Sequence, residues 1–419
     1  MYQKIKLKNK TNVFFVPLEG TKAVTALVMY PVGSRYEPEK LSGVSHYIEH
    51  LMFKGTKKRP TTLKLTREID RLGAHYNAFT SKEYTGYYIT INKKNTDKSL
   101  DILSDMMYGS LFDKKEMERE KGPIVEEIRM YKDNPIMNID NIFEELMYDG
   151  SPLGRDIAGT EKHVLSYQRD DVLKFRDKYY SPANMTLVVA GAIDDNTKKL
   201  VEQYFGSEKN GKNISKVFKP FCFGSGIKKD RLRVEQKKTD QAQLMLGFPG
   251  FKYTDKENTV DTLMNTILGG TMSSRLFIQI RERRGLAYFI RSGSDNFRDT
   301  GYSYIRVALE VKNINKAIVV IKKEIEKLIK KGPTKKELED AKTHIRGSMT
   351  LSLESSSAQA SWYASRALFA DKIQTPEEKL AELEKVTIED VQRVAKKIFK
   401  WDKMRMAIIG DVDKKGIRF

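Results

Sequence analysis

Two stretches of the chain, residues 12–32 and 232–248, are rich in strand-forming residues. Each passes into a helical pattern, returns to alternating strands such as Thr85-Gly86-Tyr87-Tyr88-Ile89-Thr90-Ile91, and then enters long helical runs such as 313–331. At an offset of 212 residues, 71–76 (Arg-Leu-Gly-Ala-His-Tyr) falls on 283–288 (Arg-Arg-Gly-Leu-Ala-Tyr). Three inserted residues later, 85–91 meets 300–307. The chain thus reads as two copies of one α/β unit. The order of elements predicts an α+β fold in which each unit is an antiparallel sheet with helices packed on it. Turn formers and charge concentrate between the copies, so the expected division is a first domain over 1–212, a linker over 213–228 and a second domain over 229–419.

The pattern is most specific over residues 42–55, where Ser42 can start a helix and Gly55 can stop it before Pro60. His46 and His50 are four residues apart and share a helical face, so one metal ion can take both, with Glu49 beside it. Zinc would lower the pKa of a bound water toward ~7, and Glu49 would take its proton. The order is H-x-x-E-H, the reverse of the commoner zincin motif. Two of the five histidines in the whole chain lie here. At the same offset the second copy has Asn258-Thr259-Val260-Asp261-Thr262, which carries no metal-binding pattern. Only the first half is expected to hold zinc, one ion per chain.

Composition narrows the alternatives. A chain of 419 residues fits two domains of about 200 residues, each able to bury a full core. No apolar run reaches the ~20 residues of a membrane helix, and the N-terminal stretch has no signal-peptide core, which predicts a cytoplasmic protein away from membranes. Cys222 is the only cysteine, so intrachain disulfides and cysteine-ligated zinc are excluded. The net charge of +19 is spread along the chain and interleaved with acids; with no basic cluster, no nucleic-acid partner is expected.

The motif belongs to a wider pattern. The sequence resembles the inverted-zincin peptidases of the pitrilysin, insulin-degrading enzyme and mitochondrial processing peptidase family, in which His-x-x-Glu-His is followed after 76 residues by a third, glutamate ligand. Positions 51 to 126 supply that spacing here, so the resemblance implies Glu127 as the third ligand and Glu120, seven residues earlier, as a carboxylate that orients a ligand. Gly122-Pro123 lies between the two and predicts a bend in their helix, which bears on where Glu120 points. The segment 273–288 looks like the family's second signature, with Arg281 and Tyr288 in the positions that reach the zinc from the opposite unit and stabilise the oxyanion. Asn77, Ala78, Phe79 and Thr80 are similar to the family strand along which an extended peptide lies. The resemblance implies a zinc endopeptidase for short or unfolded peptides. Because one chain carries both signatures, it also implies a homodimer closing like a clamshell, a heterodimer with a related chain being the alternative. The opposing functional reading is a non-catalytic scaffold or substrate-holding subunit, which typically loses part of the metal motif.

Overall fold

The computed structural model of the chain describes residues 2–207, 218–223 and 230–419. Most of the expected linker, 213–217 and 224–228, lies outside the described residues. The chain divides into two compact units, the first of Met1–Arg129, Arg155–Lys219 and Thr350–Ile373, the second of Met130–Gly154, Pro220–Met349 and Gln374–Phe419.

Among the described residues the first unit is built on six strands: β1 (Gln3–Lys6), β2 (Asn12–Pro17), β3 (Ala23–Tyr30), β4 (His75–Thr80), β5 (Thr85–Asn92) and β6 (Thr186–Gly191). Their order across the sheet is β1-β2-β6-β3-β5-β4. The described residues of the second unit form five: β7 (Leu232–Gln236), β8 (Ala242–Pro249), β9 (Ala287–Asn296), β10 (Gly301–Leu309) and β11 (Arg405–Gly410), in the order β7-β11-β8-β10-β9. Apart from β1, the two orders are the same, as the internal repeat predicts. Gly73 and Gly285 both have left-handed backbone, with φ of +62° and +56°, at the turn before the equivalent strands β4 and β9.

Neither sheet is purely antiparallel, and the expectation is corrected on this point. In the first unit Val188 of β6 pairs with Phe14 of β2 in parallel and with Leu27 of β3 in antiparallel register. In the second, Ile408 of β11 pairs in parallel with Val234 and antiparallel with Leu244. The reason is geometric: a strand inserted between two strands of opposite direction must run parallel to one of them. Side-chain alternation carries no information about direction, so the pattern of residues could not distinguish the two sheets.

Strand β3 is buried along nearly its whole length, and the two faces explain why. Val24, Ala26 and Val28 pack in one core with Val44, Tyr47, Ile48 and Leu51 of the helix that carries the histidines. Leu27 and Met29 face the other way, against Ala360, Tyr363 and Ala364 of the Ser356–Phe369 helix. Each fully buried aliphatic side chain stabilises by roughly 1.5–3 kcal/mol, so this strand is a rigid base for the helix above it. In the second unit Met245, Ala407 and Ile409 pack in the same way on Ile139 and Phe143 of the Pro135–Met147 helix, and the opposite face meets the unit's own helices. Each unit therefore includes one helix from the other half of the sequence. Among the described residues no helix is long and apolar enough to cross a membrane.

Candidate metal centre

The helix Val44–Leu51 presents His46 and His50 on one side, their ring centroids 4.6 Å apart, while Tyr47, Ile48 and Leu51 are buried on the other. Ser42 is not its cap. The helix begins after Gly43, whose backbone is left-handed, and the N–H groups of Gly43 and Ser45 are taken by the carboxylate of Glu37. It ends at Leu51, four residues before Gly55.

Glu127 comes from the helix Lys114–Asp133, which runs unbroken through Pro123. Oε2 of Glu127 lies 3.6 Å from Nε2 of His46 and 3.5 Å from Nε2 of His50, and one donor atom from each of the three residues falls within 4.8 Å of the others. The bend expected at Gly122-Pro123 does not turn Glu120 away: its Oε1 is 2.9 Å from Nδ1 of His50 and its Oε2 is 2.6 Å from Nζ of Lys54. A carboxylate on Nδ1 holds a proton there, so that a metal ion taking the place of the Nε2 proton would meet the Nε2 lone pair.

The electrostatics fit a cation. Burial, reinforced by the neighbouring His50, lowers His46 to about 4, so that its imidazole is neutral and able to donate a lone pair. For His50 burial also opposes charge, but hydrogen bonds and charge from Glu120 and Glu127 outweigh it and raise the group to about 9. In return His50 lowers both carboxylates against their burial, with Lys54 helping at Glu120 and His46 at Glu127, and both stay ionised. A field that favours a positive charge on His50 favours a divalent ion among the three donors. Two imidazoles and one carboxylate are a donor set suited to catalytic zinc, which keeps a fourth position open.

Glu49 stands beside this group, where burial raises its carboxyl above the usual range despite the hydrogen bond it accepts from Thr80. Thr80 ends β4, and among the described residues β4 is the edge of its sheet, paired with β5 alone, in register Asn77–Tyr88, Ala78–Tyr87, Phe79–Gly86 and Thr80–Thr85. Gly86 leaves room for the Phe79 ring, which a Cβ at that position would meet at 2.2 Å. The expected peptide strand is thus an available edge whose end touches the expected base.

Arg281 and Tyr288 lie together in the second unit. The guanidinium of Arg281 is 5.0 Å from the centroid of the Tyr288 ring and 4.8 Å from that of Phe277, and Tyr288 is 72% exposed. His46, Glu49, His50, Thr80, Glu120 and Glu127 are gathered in the first unit. Two contributors escaped the sequence reading. Lys54, one turn beyond His50, could have been found by its spacing; Glu37 obeys no local capping rule and could not.

Comparison with known proteins bears on the same residues. A family model described as insulinase (peptidase family M16) matches residues 14–161, and one described as peptidase M16 inactive domain matches 166–345. The uncharacterized zinc protease YmxG of Bacillus subtilis is 33% identical over 96% of this chain and 97% of its own length. The chain belongs to the M16 peptidase family. A second relative, the uncharacterized zinc protease SCO5738 of Streptomyces coelicolor, is 34% identical over 91% of this chain and 83% of its own. A protease from Helicobacter pylori superposes with a TM-score of 0.92 at 26% identity, covering 98% of this chain and 99% of that one. A peptidase M16 inactive domain from Pseudomonas fluorescens, 19% identical with a TM-score of 0.88 over 98% of each chain, shares the fold. In this M16 chain the first family model contains the H-x-x-E-H helix and Glu127, whereas Arg281 and Tyr288 fall under the second.

Proposed function

We propose that the chain is a zinc endopeptidase that hydrolyses short or unfolded peptides, with His46, His50 and Glu127 holding one zinc ion. The observation that carries this reading is the convergence of these three donors beside Glu49, with Glu49 hydrogen-bonded to the end of an open sheet edge. The names of the relatives, zinc proteases, agree with it.

Zinc bound here supplies Lewis acidity, making a water more acidic and polarising the scissile carbonyl. The chain's own residues do the rest. Glu49 accepts a proton from the attacking water at a carboxyl whose affinity for protons burial has raised, and returns it to the departing amide nitrogen. Glu120 fixes the tautomer and direction of His50. An extended peptide adds to the outer edge of β4 along Asn77, Ala78, Phe79 and Thr80 by main-chain hydrogen bonds, which read shape more than sequence. Arg281 and Tyr288 stabilise negative charge on the carbonyl oxygen. We place them across a homodimer that encloses the sites in a chamber, with no nucleic acid or membrane involved and the protein in the cytoplasm.

The test is mass spectrometry of digests of unrelated peptides and of a rigid folded protein, with and without a chelator. Cleavage of peptides that stops with the chelator and spares the folded protein is expected. Equal rates on both substrates would sink the chamber, and chelator-resistant cleavage would sink the metal.

A further inference from the structure

The start of the Val44–Leu51 helix lacks the usual side-chain cap, since Gly43 has none to offer and the first turn carries no acid. A residue six positions upstream takes the role. Glu37 is only 4% exposed, and its two oxygens accept from separate main-chain donors: Oε2 from the N–H of Gly43 at 2.6 Å, Oε1 from that of Ser45 at 2.7 Å. Short hydrogen bonds to a carboxylate at the positive end of a helix are among the strongest available to a buried acid. Burial pushes the carboxyl up to about 7 against these two bonds, so the charged form prevails at pH 8.

The helix start packs closely against the chain around it. A Cβ on Gly43 would meet the Ala158 carbonyl oxygen at 2.3 Å, and one on Gly159 would meet that of Ser42 at 2.2 Å. The Tyr167 hydroxyl donates to the Ser42 carbonyl at 2.5 Å, and Arg155 Nη1 donates to the Glu37 carbonyl at 3.1 Å. The segment that carries Glu37 is itself fastened to the chain just beyond β4. Ser34 N–H donates to the Ser81 carbonyl at 3.2 Å, Arg35 N–H donates to that of Lys82 at 2.9 Å, and the Arg35 guanidinium pairs with Glu83 at 2.6 Å. Residues 34–37 therefore grip the exit of the edge strand with one end and the start of the metal helix with the other.

We propose that Glu37 is a positioning residue for the metal centre: by holding the N–H groups of Gly43 and Ser45 it sets the rotation and advance of the helix, and with them the aim of His46 and His50. His46 follows Ser45 directly, so a small turn of the first residues displaces its ring before any other. The proposal rests on the reading of His46, His50 and Glu127 as zinc ligands, and adds to it a residue outside the motif.

Zinc affinity of the full chain, measured at pH 8 by competition with a chromogenic chelator, tests it. Glu37→Gln keeps the length of the side chain but turns an amide nitrogen toward one of the two donors. Its zinc dissociation constant should rise ~10–100-fold, the range found when an outer partner of a ligand is lost. The control is Val201→Ala, a fully buried position in the helix Asp195–Phe205 of the same unit, which packs chiefly on the helix Thr96–Gly109 and not on the segment 34–45 that Glu37 fastens. It should lower the melting temperature and leave zinc affinity unchanged. Should Glu37→Gln not fold, Glu37→Asp makes the same comparison, because it keeps both oxygens and retracts them by one carbon. Wild-type affinity in the folded Glu37 variant, or equal weakening by Val201→Ala, overturns the proposal while the zinc site stands. Failure of the wild-type chain to bind zinc overturns the metal reading itself.

Discussion

Thr80 and Glu49 lie 31 residues apart on a strand and a helix, and share a hydrogen bond of 2.5 Å from the Thr80 hydroxyl to Oε2 of Glu49. The residue that ends the edge strand thereby fixes the rotamer of the proposed base. Glu49→Gln should keep zinc and lower kcat by a factor of about 10²–10⁴, because an amide cannot accept the proton. Thr80→Val removes only the hydrogen bond and should cost about tenfold in kcat with KM little changed. Turnover by Glu49→Gln equal to wild type, at equal zinc content, would remove Glu49 from its role.

Glu127 and Glu120 both reach His50 but should behave differently when changed. Glu127→Gln takes away one of three ligands, and elemental analysis should find it nearly free of zinc after gel filtration. Glu120→Gln leaves the ligand set whole and loosens only the orientation of His50, so the chain should load zinc with affinity reduced ~10–100-fold. Equal zinc retention by the two variants would contradict the division of roles that the distances suggest.

How much of this was legible in the sequence differs from element to element. The histidine helix was, because i, i+4 spacing is a local property, and the step from His50 to Glu127 followed from the family spacing. Strand direction was not: β6 and β11 enter their sheets far from their neighbours in sequence, and a period of two is the same for parallel and antiparallel pairs. Nor could the pattern show that Ser356–Phe369 packs with the first sheet and Pro135–Met147 with the second, since an amphipathic helix does not name the surface it covers. The proline misled in the opposite sense. Pro123 costs its helix one hydrogen bond, yet Lys114–Asp133 continues through it, and its buried positions Met117, Ile124, Val125 and Ile128 show the packing that holds it.

The second copy keeps a carboxylate where the first has Glu49. Asp261, at the equivalent position, is fully buried and accepts from Ser303 and from the Asn265 side chain, both at 3.0 Å. Its Oδ2 and Oδ1 of Asn265 have no partner among the described residues, and a proton on Asp261 would turn one of these acceptors into a donor. Burial raises the carboxyl to about 6 from 3.8, against the hydrogen bonds of Ser294, Ser303 and Asn265. With the folded value above the unfolded one, this group's contribution to stability is fully present below pH 3.8 and is lost as pH rises through about 6. Asp261→Asn cannot ionise. Its unfolding free energy should therefore gain on wild type by up to about 3 kcal/mol between pH 4 and pH 8, read by chemical denaturation at both. Parallel pH dependence in the two proteins would refute the shift.

Arg281 and Tyr288 belong to a different unit from the zinc ligands, and each signature occurs once in the chain, so a two-fold dimer can build each site from both subunits. Exchange between two inactive variants tests this. One carries Glu49→Gln; the other carries Arg281→Ala with Tyr288→Phe. If the sites form between subunits, a mixed dimer has one site with both defects and one made wholly of intact residues. Random pairing makes half of the dimers mixed, and half of their sites work, so about a quarter of wild-type activity should return. If each chain completes its own site, every site keeps one defect and nothing returns. No recovery, with mixed dimers confirmed by native mass spectrometry, would assign Arg281 and Tyr288 to the site of their own chain.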